Sequence, residues 1–203
     1  MGFFVKAVHL LALGLWFGSV TFFSFFTALP IIQRMEHLTT AEESWVRRQM
    51  KEVPATDPQQ AEQLQKRQGT RLAGEALDVI FARYFPLQAV CGGVALLTAL
   101  AWVRRPGAVH KVRVAILALT LGLVLVNLFV LAPKVHELRA QRYSPDPAVA
   151  KPADEAFGPW HTYSLLTDMG TLLGVAAALV LGAALPAREA AASASGGFTS
   201  PRG

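Results

Sequence analysis

The sequence predicts an all-α membrane protein: a four-transmembrane-helix bundle with a long extra-membrane helical segment between spans 1 and 2. Three observations predict this fold class. Of the 203 residues, 53% are hydrophobic and only 16% are charged, whereas soluble domains are about a quarter charged. The mean hydropathy is positive, at +0.37. Four long apolar runs, each near the ~20 residues that a helix needs to cross a bilayer, are separated by polar segments.

The four predicted spans follow one another within a single domain, residues 1–186. They cover about 5–32, 87–103, 112–131 and 160–185. Pro133 is expected to end the third span and Pro186 the fourth, because proline cannot donate the backbone hydrogen bond that continues a helix. Residues 187–203 are rich in Ala, Ser and Gly, which predicts a disordered C-terminal tail.

A helical insert of about residues 33–85 is predicted on the outer side of the membrane. Thr40-Ala-Glu-Glu43 has the capping-box pattern and predicts a helix that ends before Pro54. Asp57 followed by Pro58 predicts a second helix start, with the aspartate as N-cap and the proline in the first helical position. This second helix is expected to continue into the second span.

Basic residues are distributed unevenly between the two sides of the predicted bundle. Acids and bases are nearly balanced in the longer connections, whereas the short loop between the second and third spans has no acid and holds Arg104, Arg105, Lys111 and Arg113. The positive-inside rule therefore predicts that this loop and both termini are cytoplasmic, as in a protein of the bacterial inner membrane. The net charge of +5 is thus a topology signal, and no nucleic-acid partner is expected.

The motifs of common catalytic and metal sites are missing from the sequence. The only cysteine, Cys91, lies in an apolar run, which excludes an intrachain disulfide and a cysteine-based zinc site. No phosphate-binding loop, metalloprotease motif or nucleophile elbow is present. The sequence therefore predicts neither an enzyme nor a resident metal or cofactor.

Asp168 lies inside the fourth apolar run, where a carboxylate costs about 2.5–3.5 kcal/mol on insertion scales. Such a residue is expected to face the protein interior and to mark a functional site. Ser164, Asn127 and Ser24 have similar depths in the outer halves of their spans, and His161 lies above them. We therefore predict an intramembrane polar cluster of these five residues. The alternatives are a protonated Asp168 that only stabilises the bundle and an interfacial anchoring role for His161.

His9 lies near the cytoplasmic end of the first span. It precedes Pro30 by 21 residues, which is about 30 Å along a helix. Because histidine–metal bonds are about 2 Å long, His9 and His161 cannot bind one metal ion or one haem iron together. His9 is therefore expected either to pack in the bundle or to bind a cofactor by itself, and His136 is expected to be a solvated loop residue.

Small residues recur every four positions in all four spans, and the longest run is Gly170, Gly174, Ala178 and Gly182. Such stripes let helix backbones approach closely in lipid. They predict close packing within the bundle, with a homo-oligomer interface as the alternative.

Three stretches have an order and spacing found in a known family. They are His9–Gly18 followed by Pro30, Ala73–Pro86, and Asn127–Pro133 with Phe157–Ser164. Together they resemble the transmembrane protein 205-like family of small four-span proteins. The resemblance implies a four-helix membrane protein, and a link of one member to tolerance of platinum drugs implies metal or drug handling. It also leads us to expect Asn at the position of Asp168.

A second resemblance covers the first span only. Lys6-Ala-Val-His9, followed by Trp16-Phe17 and Ser19, is similar to the opening span of HemJ-type protoporphyrinogen oxidases and of copper-resistance D proteins. In the former, a histidine at this place is associated with haem. This resemblance implies a haem- or metal-binding membrane redox protein that uses His9.

The expected function is therefore that of a non-catalytic integral membrane protein, either a transport- or efflux-related factor or an accessory subunit of a membrane complex. Its expected partners are the lipid bilayer, other membrane-protein subunits and further copies of itself. The alternative is the haem- or metal-binding redox protein that uses His9.

Overall fold

The computed structural model describes residues 3–41, 44, 57–102 and 107–195. These residues form helices and no strand, which confirms the predicted all-α class. The elements are α1 (Phe3–Thr21), the π-helical segment π1 (Phe22–Ala28), α2 (Leu29–Thr40), α3 (Pro58–Trp102), α4 (Ala108–Val126), the π-helical segment π2 (Asn127–Leu131), α5 (Ala132–Gln141) and α6 (Pro147–Ser195).

Four helical stretches are long and apolar enough to cross a membrane. They are Phe4–Thr40, Pro58–Ala101, Ala108–Gln141 and Pro147–Ala183. These stretches coincide in order with the four predicted spans, and each extends further at the end that leads to the longer connections. The predicted four-span membrane architecture, with a long second helix, is therefore confirmed.

Pro133 does not end its helix, because the chain continues through α5 to Gln141. A π-helical segment ends two residues before this proline, and π1 stands in the same relation to Pro30. A proline lacks a backbone N–H, and its ring crowds the carbonyl four residues earlier. The wider π turn shifts the hydrogen bonds by one residue and so relieves both problems. Pro133 therefore does not end the helix, and the boundary of the third span in the membrane stays a prediction.

The last helix is longer than predicted at both ends. It begins at Pro147, so the residues expected to form a loop before Trp160 are helical. It ends at Ser195 and so includes residues 187–195 of the predicted C-terminal tail. The rest of that tail, residues 196–203, lies outside the described residues.

The two helix starts predicted in the outer insert have different outcomes. The Asp57 carboxylate Oδ1 accepts a hydrogen bond from the Gln60 backbone N–H at 2.8 Å, which confirms the N-cap before Pro58. Thr40, by contrast, is the last residue of α2, and its hydroxyl donates to the Glu36 carbonyl at 2.9 Å. Most of the helix predicted to follow Thr40 lies outside the described residues.

The chain divides into two compact units, of which the first comprises residues 1–18 and 87–203. In this unit α4 packs antiparallel against α6. A Cβ atom added to Gly170 would lie 3.1 Å from Leu123 Cδ1, and one added to Gly174 would lie 3.1 Å from Thr120 Cβ. The glycine stripe of α6 therefore serves packing inside the chain, because α4 side chains leave little room for a Cβ atom at these two glycines.

Trp16 is the largest fully buried side chain of the first unit. Its indole Nε1–H donates to Gln88 Oε1 at 3.4 Å. A Cβ atom on Gly92 would lie only 2.7 Å from Trp16 Cη2, whereas one on the adjacent Gly93 would have nothing within 4 Å. The missing side chain at Gly92 is therefore what admits the indole between α1 and α3.

The second unit comprises residues 19–86, in which α2 runs antiparallel to the first part of α3. A Cβ atom on Gly69 would lie 2.7 Å from Glu36 Cα, and the Thr70 hydroxyl donates to Glu36 Oε1 at 3.1 Å. Further along, the Phe23 ring centroid lies 4.3 Å from that of Tyr84. The outer insert is thus an ordered helical hairpin wherever the structure describes it.

Candidate functional site

The third spanning helix carries polar side chains on its buried face. The buried residues alternate at intervals of three and four positions: His110, Arg113, Leu117, Thr120 and Val124, with Asn127 continuing the series in π2. This spacing places them on one side of a helix. The opposite side is apolar between Val112, which is 53% exposed, and Val126, which is 45% exposed. The apolar side chains of this helix therefore face lipid, and its polar side chains face the protein interior.

Arg113 lies fully buried near the start of α4. Its guanidinium Nη2 donates a hydrogen bond to Nε2 of His9 in α1. The same guanidinium rests against α6, since a Cβ atom on Gly182 would lie 3.2 Å from Nη2. A positive charge therefore stands where three helices of the first unit meet.

The hydrogen bonds of His9 fix the tautomer of its ring. Because an arginine guanidinium can only donate, His9 Nε2 must accept, and the proton of the neutral ring lies on Nδ1. That N–H points to the Thr98 hydroxyl oxygen at 2.7 Å, and the hydroxyl in turn donates to the Val94 carbonyl at 2.6 Å. These groups thus form a chain of hydrogen bonds in which each donates to the next, from Arg113 through His9 and Thr98 to the Val94 carbonyl. Both ring nitrogens of His9 are hydrogen-bonded.

His110 is 4% exposed and lies one turn before Arg113. Its Nε2–H donates to the Ala99 carbonyl of α3 at 3.1 Å. The opposite nitrogen, Nδ1, therefore carries a lone pair; it is buried and has no hydrogen-bond partner among the described residues. We call His9, Thr98, His110 and Arg113 the inner polar group.

Asn127 and Ser164 form a second polar contact, at the other end of the buried face. The Asn127 amide Nδ2 donates to the Ser164 carbonyl at 3.2 Å, and the Ser164 hydroxyl donates to Asn127 Oδ1 at 2.8 Å. The Thr167 hydroxyl also donates to the Ser164 carbonyl, at 2.9 Å. Asn127 is 2% exposed, so these bonds satisfy a buried amide.

The other residues of the predicted outer cluster lie in different surroundings. Asp168 is half-buried, one helical turn beyond Ser164. His161 is also half-buried and stacks on Phe157, with ring centroids 5.3 Å apart. Ser24 lies in π1, within the second unit. Asn127 and Ser164 are hydrogen-bonded to each other, and the functional grouping of the five predicted residues stays a prediction.

Charged side chains lie beside the Phe157 ring on which His161 stacks. The Arg142 guanidinium lies 4.5 Å from the Phe157 ring centroid and forms an ion pair with Asp154 at 2.7 Å. This charged and aromatic corner joins the end of α5 to the start of α6. His136 is exposed as predicted, but it belongs to α5 and not to a loop, since the helix passes through Pro133.

Of the inner polar group, the sequence identifies His9 but not His110 or Arg113 as site residues. The sequence places Arg113 among the loop charges that set the orientation, yet it is fully buried. The signal was the spacing: His110 and Arg113 continue the three-and-four alternation of Leu117 and Thr120 to the start of the helix. That pattern places the charge on the helix face that is buried.

No described group of three or more His, Cys, Asp or Glu side chains is arranged to hold a metal ion. His9, the predicted cofactor ligand, donates from Nδ1 to Thr98 and accepts at Nε2 from Arg113. Iron could bind His9 only if one of these two bonds broke.

A family profile gives the chain its relationship to other proteins. The profile describes a domain of unknown function, DUF4149, and matches residues 11–144. The matched region includes π1, α4 and π2. No curated protein and no solved structure matches the chain. Since the matched residues make up well over half of the 203, this integral membrane protein belongs to the DUF4149 family.

Proposed function

We propose that this protein is a non-catalytic membrane protein that takes part in the transport of a small polar solute. The buried polar face of α4 and π2 carries the proposal. It runs from His110 to Asn127, about 25 Å at 1.5 Å per residue, which is most of the ~30 Å hydrocarbon core. Polar and ionisable residues inside a membrane bundle mark substrate and ion pathways. The resemblance to transmembrane protein 205-like proteins supports the same class of function.

Solute flux into proteoliposomes tests the transport proposal. Vesicles containing the full-length protein are expected to take up at least one of acetate, chloride, urea or glycerol faster than protein-free vesicles. The near-isosteric Thr120→Val substitution should reduce that flux, because it removes a hydroxyl from the middle of the buried face. Leu119→Ala is the matched control, since Leu119 is 69% exposed to lipid. Equal flux in protein-free and wild-type vesicles for all four solutes would contradict the proposal.

Asp168→Asn tests whether the outer carboxylate belongs to the same pathway. The substitution keeps the size of the side chain and removes its ability to carry a negative charge. We expect lower flux without loss of folded protein. Unchanged flux, stability and assembly would show that the carboxylate has no functional role.

A second candidate function is that of an accessory subunit, and the lengths of two helices favour it. α3 has 45 residues and α6 has 49, whereas about 20 suffice to cross the hydrocarbon core. The polar turns at the start of α3 expose Gln59 and Gln63 outside any apolar run. Gentle solubilisation should then yield a stoichiometric partner that is lost in Gln63→Arg and retained in Leu97→Ala. Purification of the chain alone under several mild detergents would count against this role.

The redox alternative predicts haem on His9, and purified protein tests it directly. Since both ring nitrogens of His9 are hydrogen-bonded, we expect no Soret band and no stoichiometric metal. A Soret band that disappears in His9→Ala would establish the alternative.

A further inference from the structure

We propose that the inner polar group binds an undissociated carboxylic acid. His110 Nδ1 would accept the hydrogen bond of the acid's O–H, and Arg113 would donate to its carbonyl oxygen. This inference rests on the proposed transport function and names the class of solute.

The first argument is the hydrogen-bond polarity at His110. Its Nε2–H is committed to the Ala99 carbonyl, so the buried Nδ1 is an acceptor that lacks a partner among the described residues. An unsatisfied buried acceptor is costly, so the site favours a ligand that donates. A carboxylate anion would be repelled by the lone pair of His110 Nδ1, and a metal ion would be repelled by the positive charge of the Arg113 guanidinium. A protonated acid meets neither repulsion.

The second argument is the position and shape of Arg113. It lies three residues after His110 on the same buried face, so the two side chains are neighbours. Its guanidinium supplies N–H donors, which the carbonyl oxygen of an undissociated acid accepts. With five N–H donors, a guanidinium can bind a carboxyl group while one N–H remains on His9. A carboxylic acid presents a donor and an acceptor side by side, as this pair requires.

The proton accounting is simple. When the acid is bound, its O–H bond can break and the proton can move to His110 Nδ1, which leaves a carboxylate beside Arg113 and an imidazolium at His110. No other atom changes. His9 does not compete for the proton, because its Nε2 already accepts from Arg113. Three further neighbours of this group, Thr98 and Ala99 of α3 and Gly182 of α6, do not titrate.

Acetate binding to the full-length protein in nanodiscs tests the inference. We expect saturable binding that weakens about tenfold or more in His110→Phe and in Arg113→Met, since each removes one hydrogen bond to the ligand. Lys111→Gln, an exposed charge on the same turn, should leave the affinity unchanged. Methyl acetate, which has no O–H, should not bind. In the wild-type protein, acetate should shift the Nδ1 ¹⁵N signal of His110 from that of an unbonded acceptor toward that of a hydrogen-bonded or protonated nitrogen.

Each contrary result overturns the inference. These results are no saturable acetate binding, equal binding of methyl acetate, or a His110 Nδ1 signal that does not respond to acetate. The NMR experiment uses the wild-type protein, so it tests the inference even if a variant fails to fold. If acetate does not bind while Thr120→Val still reduces the flux of another solute, the acid inference fails and the transport proposal stands. If no solute moves, the transport proposal fails as well.

Discussion

Single residues decide how the helices of the first unit approach one another. Gly92 admits the Trp16 indole, and Gly182 leaves room for the Arg113 guanidinium. The sequence indicated small residues at four-residue spacing but not which of them are needed. Gly14 and Gly18 follow the same spacing, yet a Cβ atom on either would meet nothing within 4 Å. The difference arises because spacing is a property of one helix and contact is a property of two.

We expect Gly92→Ala to destabilise the protein by about 1–3 kcal/mol, the usual cost of overpacking a core. The added methyl would lie 2.7 Å from Trp16 Cη2, and a buried indole cannot rotate away easily. Thermal unfolding in detergent measures the effect. Gly93→Ala is the adjacent control and should be neutral or slightly stabilising, because alanine favours helix. Equal melting temperatures for the two variants would contradict the Trp16 contact.

We expect His9→Leu and Arg113→Met to be non-additive. Each single substitution leaves a buried polar partner unsatisfied, at about 1–3 kcal/mol. The double variant removes both groups and should be less destabilised than the sum of the single variants. A double-mutant cycle on the free energy of unfolding measures the coupling. Additive effects would show that the hydrogen bond between them does not contribute to stability.

At the scale of elements, the prolines and the α4–α6 pair show what sequence patterns predict well and badly. The apolar runs correctly locate four spans, but the local rule for proline predicts a helix end at Pro133, where the helix continues. In the structure the π-helical segment π2 precedes Pro133 and accommodates it within a continuous helix, and π1 does the same before Pro30. A π turn forms at a proline where the surrounding packing stabilises a continuous helix. A rule based on the proline alone does not take this packing into account.

Gly174→Ala should weaken the packing of α4 on α6. The added Cβ atom would lie 3.1 Å from both Cβ and Cγ2 of Thr120, so we expect a loss of about 1–3 kcal/mol. Thr120→Ala should relieve much of that loss in the double variant, because it removes the crowded atoms. Gly122→Ala serves as the control, since its Cβ atom would have nothing within 4 Å. Chemical denaturation in mixed micelles compares the variants, and no rescue by Thr120→Ala would contradict this contact.

Asn127→Leu and Ser164→Ala should be coupled by about 0.6 kcal/mol, with an upper value near 1.7 kcal/mol, as for other hydrogen bonds between membrane helices. One bond joins the two side chains, from the Ser164 hydroxyl to Asn127 Oδ1, and each single variant removes it. The bond from Asn127 Nδ2 goes to the Ser164 backbone carbonyl, so it is lost in Asn127→Leu but not in Ser164→Ala. The unfolding free energies of the two single variants and the double variant give this coupling. A coupling near zero would show that these bonds do not stabilise the bundle.

Over the whole molecule, the distribution of polarity is that of a protein in lipid. Phe22, Leu97 and Val180 are each more than 60% exposed, while His9, Arg113 and Asn127 are buried. Hydrophobic burial against water does not drive such an arrangement, because lipid is as apolar as the exposed side chains. Close packing and internal hydrogen bonds between the helices therefore stabilise the bundle.

Orientation is a property of the whole chain, and we expect both termini in the cytoplasm. Cysteines introduced at Pro145 and Lys111, both exposed, should report opposite sides. A membrane-impermeant maleimide should label Pro145→Cys in intact cells and Lys111→Cys only after permeabilisation. The native Cys91 is buried and should give little background. The reverse labelling pattern would contradict the positive-inside prediction. That prediction now depends on Arg104, Arg105 and Lys111, because Arg113 is buried and no longer counts as a loop charge.

The sequence by itself determined the helical class, the number and order of the spans and the N-cap at Asp57. These features depend on local chemistry: an apolar run long enough for the bilayer, or a side-chain acceptor beside a helix start. Only the tertiary structure decided that Arg113 turns inward to His9, that Asn127 meets Ser164 and that Gly92 faces Trp16. Each of these depends on the rotation and partner of a helix, which are set by groups distant in the chain.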